Sequence, residues 1–208
     1  MARLDGLVIR DGDAETAVIA EYDATRRAAV RRGMIIGGGA IAASTIPLLL
    51  NVRHAFAQAE DDAAILEGAI ELEQTAVVVY ATAAESGLLD PEVEKAAKLF
   101  GDHEQEHADA LIAALSELGG NAPEPPGAAE IDGLDGLASQ DEVLNFAIEI
   151  ENMAIVAYGD AATQLESAEL IQTGAQIVAN EAQHLTVLRQ QLGENPVPEA
   201  FEIGKEPE

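Results

Sequence analysis

The chain carries four histidines and no cysteine, so any metal it holds must be bound through imidazoles and carboxylates. Two of those histidines sit in the same short pattern, Glu104-x-x-His107 in DHEQEHADAL and Glu181-x-x-His184 in ANEAQHLTVL. Residues three apart lie on one face of a helix, so each pattern presents a carboxylate and an imidazole to a common point. Such a pair suits a divalent cation. The lack of cysteine excludes a disulfide framework, thiolate-bound zinc, iron–sulfur clusters and thiol catalysis together.

A second repeat supplies more carboxylates. AIELEQTAVVVY at Ala69–Tyr80 aligns with AIEIENMAIVAY at Ala147–Tyr158, identical at seven of twelve places, with an offset of 78 residues. The two Glu-x-x-His patterns are separated by 77. Each half of the chain therefore carries a Glu helix followed by a Glu-x-x-His helix, which implies a site with two-fold symmetry. Helical spacing puts Glu73 in line with Leu66, Ile70, Val77 and Tyr80, and Glu151 in line with Leu144, Ile148, Ile155 and Tyr158. Glu104 shares its stripe with Ala97, Phe100, Leu111 and Leu115, and Glu181 with Ile177, Val178, Leu185 and Leu188. All four glutamates are thus expected to face the core. Glu71 and Glu149 fall on the opposite, polar side and are expected in solvent.

Four buried carboxylates without compensation would cost several kcal/mol per ion, against a total stability of roughly 5–15 kcal/mol for a domain. After Ala57 the only basic residues are Lys95, Lys98, Arg189 and Lys205, none on these stripes, so two divalent cations are the neutralising charge expected. Tyr80 and Tyr158 each follow a core glutamate by seven residues and are placed to hydrogen-bond the ligands, to donate an electron or simply to pack. Phe146 and Met153 read as core. His103 is expected on the exposed side of its helix, with a partnering role for the ligand histidines as the lesser reading.

The elements that must position these residues are helical. Hydrophobic residues make up 48% and aromatics only 3%, a composition for close packing of Ala, Leu, Ile and Val. No alternating Val/Ile-rich runs occur, and the three- and four-residue spacing predicts helices over 60–86, 91–118, 140–166 and 168–192. Asp90–Pro91, Gly119–Gly120 and Gly193 mark the breaks. The Pro- and Gly-rich stretch from Asn121 to Gln140 is long enough to run the length of a helix, so two antiparallel hairpins joined by a long crossover are expected.

On these motifs, over residues 60–192, the chain resembles the ferritin-like superfamily of di-iron carboxylate proteins, which includes ferritins, bacterioferritins and rubrerythrins. The resemblance implies an all-α, ferritin-like four-helix bundle, with one Glu from each of two helices and Glu-x-x-His from each of the others. It maps the metal and catalytic set onto Glu73, Glu104, His107, Glu151, Glu181 and His184, with Glu104 and Glu181 bridging and Glu73 and Glu151 terminal. It implies two Fe ions, with Mn or Zn able to occupy the site, and oxidation of ferrous iron by O2 or peroxide. Without cysteine there is no rubrerythrin-type electron-transfer module, so peroxidase turnover calls for an external electron donor. A non-catalytic metal-binding or stress-related structural protein and a manganese catalase-like enzyme remain as alternatives, and a homo-oligomer stays open.

The first 57 residues read differently. They carry seven of the eleven basic residues and six of the 38 acids, leaving four basic and 32 acidic residues after Ala57. That balance excludes nucleic acid as a partner, because phosphate contact needs Lys and Arg. A basic patch with Arg26–Arg27 and Arg31–Arg32, an apolar stretch from Gly33 to Leu50 and small residues at Ala55 and Ala57 follow the order of a signal peptide, resembling a twin-arginine leader. This predicts export through a twin-arginine translocon to the periplasm or outside, with cleavage near Ala57 or Ala59. Left uncleaved, the apolar stretch is near the lower length limit for a membrane anchor. Residues 193–208 form a C-terminal tail.

Overall fold

The computed structural model describes residues 61–204, so the leader expected over 1–57 lies outside the described residues. Four helices make the body: α1 (Asp62–Glu85), α2 (Pro91–Glu117), α3 (Gln140–Ala161) and α4 (Ala168–Gln191). Among the described residues there is no strand, and no helix is long and apolar enough to cross a membrane.

Local signals start and stop the helices. The side chains of Asp61, Ser139 and Ser167 accept from the backbone N–H of Ala64, Glu142 and Leu170, capping α1, α3 and α4, and Pro91 opens α2. At the end of α2, Gly119 adopts φ 82°, and the N–H of Gly120 returns to the carbonyl of Leu115 at 3.0 Å, a left-handed stop that a side chain at Gly119 would strain.

Two contacts fix the topology. The backbone N–H of Asp90, before α2, donates to the side chain of Gln140, the first residue of α3, at 2.6 Å. At the other end, the Asp62 carboxylate accepts from the N–H groups of Glu166 and Ser167, at 2.8 and 3.0 Å, where α4 begins. Hence α1 and α4 run one way, α2 and α3 the other, and the segment between α2 and α3 must travel the length of the bundle.

That crossover is more structured than its composition predicts. It forms 3₁₀ turns at Ala128–Glu130 and Leu134–Gly136 and inserts Ile131 and Leu134 into the core. In doing so it covers the side of α1 that reads as polar: Thr75 is buried and bonds the carbonyl of Glu71, while the Gln74 amide donates to the carbonyl of Pro123 at 3.2 Å. Glu71 on this side of α1, and Glu149 on α3, both expected in solvent, are half-buried. A second difference is the end of α3, at Ala161 rather than 166. Leu165 continues the apolar spacing, but Ser167 must be extended to cap α4, and the chain turns through Asp160–Leu165 to allow it. The tail also folds back, with Arg189 of α4 bonding Glu202 at 2.6 Å.

Apolar side chains form two clusters, one toward each end of the bundle. One includes Leu66, Ile70, Leu111, Leu115, Tyr158 and Ile177, and the other Tyr80, Val93, Phe100, Leu144, Ala147 and Leu188. The predicted ligand layer lies between them. Because Asp62 is the strap between the start of α1 and the start of α4, Asp62→Ala is expected to destabilise the fold by about 1 kcal/mol. Urea denaturation should show a lower midpoint at an unchanged slope.

Candidate metal centre

The four glutamates and two histidines singled out by spacing come from four different helices and meet in one cluster. Glu73, Glu104, Glu151 and His184 are each 1% exposed and Glu181 is 0%. His107 is the most open, with 13% of its side chain exposed. The cluster divides into two groups of four side chains, each arranged as a cation would require: Glu73, Glu104, His107 and Glu181, and Glu104, Glu151, Glu181 and His184.

Glu104 and Glu181 belong to both groups, and each divides its oxygens between them. Oε2 of Glu104 is 3.3 Å from His107 Nδ1, while its Oε1 is 3.1 Å from His184 Nδ1. Oε1 of Glu181 is 3.0 Å from His107 Nδ1, while its Oε2 is 3.2 Å from His184 Nδ1. Glu73 and Glu151 each face one histidine, at 3.3 Å from His107 and His184 respectively. Glu104 and Glu181 are thus placed to bridge, and Glu73 and Glu151 to terminate.

Part of the donor set is left unsatisfied, although His107 Nδ1 bonds Oε2 of Glu104. His184 Nδ1, both oxygens of Glu181 and Oε1 of Glu104 are buried without a hydrogen-bond partner, although they lie close together. A buried polar atom left so carries a cost of about 1–3 kcal/mol. This donor set fits a metal ion.

The tyrosines exchange partners between the halves. Tyr80, on the same helix as Glu73, donates to Glu151 on α3, while Tyr158, on the helix of Glu151, donates to Glu73 on α1. Each terminal carboxylate is therefore held by the opposite half of the repeat. Sequence spacing put both tyrosines near the ligands but not in this crossed arrangement.

His103 differs from its expected exposed place. It is half-buried, and its Nδ1 lies 3.0 Å from His184 Nε2. The signal in the sequence was faint: Phe100, three residues earlier, stacks on the His184 ring with centroids 4.1 Å apart, so α2 presents two rings in succession to α4.

Residues 61–194 match the model of the ferritin-like domain family. The chain belongs to that family. Its fold is also similar to the crystal structure of a conserved hypothetical protein, rv2844, from Mycobacterium tuberculosis. That likeness has a TM-score of 0.55 at 21% identity and covers 66% of this chain and 94% of that one. No curated protein matches the chain.

Within this ferritin-like bundle, protons must take the place of cations when no metal is bound. Burial alone would pull His107 down, but the carboxylates of Glu104, Glu181 and Glu73 outweigh it and push the imidazole up to about 12. His184 is likewise lowered by burial and raised more by Glu104, Glu151 and Glu181, reaching about 11. Burial, then neighbouring carboxylates, hold Glu73 and Glu151 well above the usual carboxylate range. Burial also raises Glu181, but the imidazoles of His107 and His184 bring it down to about 2. Tyr80 and Tyr158 are raised by burial and by Glu151 and Glu73, so they remain neutral donors.

The histidines bind protons more tightly folded than unfolded, so their stabilisation is complete below the unfolded value of 6.5 and is lost as pH rises toward about 11 and about 12. Glu73 and Glu151 act in the same direction. The melting temperature of metal-free protein is therefore expected to fall steadily between about pH 6 and about pH 9, and divalent metal should reverse the fall by displacing those protons. Calorimetry showing metal-free protein more stable at the alkaline end would contradict this charge assignment.

Proposed function

We propose that the chain is an exported dinuclear iron protein that oxidises ferrous iron with O2 or peroxide. One ion would be held by Glu73, Glu104, His107 and Glu181, and the other by Glu104, Glu151, Glu181 and His184. The observation that carries this reading is the set of buried donor atoms that face one another without hydrogen bonds, above all His184 Nδ1 and both oxygens of Glu181. Oxygen-rich donors with one imidazole per ion suit iron or manganese, and membership of the ferritin-like family favours iron.

When bound, two ferrous ions supply the two electrons that reduce dioxygen to peroxide, or peroxide to water. The chain contributes the frame. Glu104 and Glu181 offer one oxygen to each position, a geometry that lets a carboxylate change its mode of attachment as charge changes. Tyr80 and Tyr158 fix the terminal carboxylates, and the apolar clusters at both ends limit the access of water. Among the described residues the basic side chains are Lys95, Lys98 and Arg189; Lys98 pairs with Glu94 and Arg189 with Glu202, so neither competes for the site. With no cysteine in the chain, repeated reduction of peroxide draws electrons from an external donor. Export rests on the leader-like order of residues 1–57.

Anaerobic ferrous loading followed by addition of O2 or peroxide, read with an oxygen electrode or a peroxide assay, tests the reading. Oxidant consumption is expected only after paired loading, and the Glu104→Ala/Glu181→Ala double variant should lose both. Unchanged iron stoichiometry in that variant would remove the site. Firm binding without consumption would make the chain a structural metal protein, and oxygen release from peroxide by the manganese form would make it catalase-like.

A further inference from the structure

The two halves of the repeat match at every ligand and at both tyrosines, yet the surroundings of the two histidines differ. At the offset of 77 that aligns His107 with His184, His103 corresponds to Asn180 and Phe100 to Ile177. Among the described residues, ring contacts are made by His184 and not by His107. The Nε2 of His184 lies 3.0 Å from His103 Nδ1, with the two ring planes inclined by 11° and the centroids 5.3 Å apart, a separation that suits imidazoles joined in line by an N–H···N bond. Phe100 stacks on the same His184 ring, which is 1% exposed. Among the described residues no side chain hydrogen-bonds the Nε2 of His107, whose side chain is 13% exposed.

We propose that His103 is a positioning residue that makes the two metal positions inequivalent, so that the position served by His184 fills first and binds more tightly. The inference rests on the reading that the cluster takes a pair of divalent cations. A histidine ligates as neutral imidazole, with one nitrogen bare and the other protonated. For Nδ1 of His184 to face the carboxylates bare, its proton must sit on Nε2, and His103 Nδ1 is there to accept it. His103 then carries its own proton on Nε2. The bond fixes the ring of His184 before any ion arrives and, when binding displaces the Nδ1 proton, leaves in place the Nε2 proton that the ligating tautomer needs. His107 meets the same carboxylates through Nδ1 but has no such partner behind it among the described residues, so nothing there holds its Nε2 proton. Both positions share Glu104 and Glu181, so the difference lies with the histidines and the terminal glutamates, which are matched.

The test is an anaerobic Co2+ titration of the full chain followed by proton NMR in water, where the Nε2–H of a ligand histidine gives a hyperfine-shifted, exchangeable signal. The first equivalent should produce one signal that exchanges slowly with solvent, from His184, and the second equivalent a fast-exchanging one, from His107. His103→Phe keeps a ring but removes the acceptor; it should weaken the first step about 10–100-fold, leave the second unchanged and abolish slow exchange. His103→Asn, whose Oδ1 stands where Nδ1 does, should restore both the order and the slow exchange. Two signals rising together in the unmodified chain would overturn the proposal, as would equal loss in the Phe and Asn variants or a first step indifferent to both. Failure of any form to bind Co2+ would instead overturn the metal-centre reading beneath it.

Discussion

Four carboxylates packed into an interior that no lysine or arginine of the described residues reaches form the constraint on which this structure depends. Dry glutamates at 0–1% exposure repel one another, and without a cation that charge is relieved by protons on the two imidazoles and on Glu73 and Glu151. Desolvation of each ion costs several kcal/mol after relaxation, a large share of the stability of a domain this size. The fold sets these carboxylates in two groups of four side chains that could each hold a cation, with Glu104 and Glu181 in both. The apolar layers at either end keep it rigid and dry.

Rigidity comes from connections that run between the halves. Each half of the repeat supplies a glutamate helix and a Glu-x-x-His helix, but the tyrosine on one glutamate helix holds the glutamate of the other. Neither half supplies the tyrosine that bonds its own terminal glutamate. The crossover and the Asp62 strap hold the pairs in register, and the crossover also closes one side of α1 by burying Ile131 and Leu134. What the repeat makes symmetric, α2 then makes unequal, since Phe100 and His103 have no aromatic counterparts on α4.

The all-helical fold and the convergence of the six side chains were legible because both depend on local spacing. An amphipathic stripe places a glutamate inward whatever its neighbours are, and the internal repeat doubled each signal. Features set by distant contacts were not legible. Thr75 and Gln74 look like a polar face until a proline-rich segment some 50 residues away covers them. The end of α3 is decided by Ser167 and Asp62, not by the apolar spacing that Leu165 continues. His103 sits one residue from Glu104, too close to share its face, and only the approach of α4 brings it against His184.

Anomalous X-ray diffraction at the iron edge from crystals grown with ferrous iron measures the central claim most directly. Two peaks per chain are expected, one among Glu73, Glu104, His107 and Glu181 and the other among Glu104, Glu151, Glu181 and His184, with the pair sharing Glu104 and Glu181. Iron found only at surface carboxylates, with the six interior side chains closed around protons or water, would contradict it.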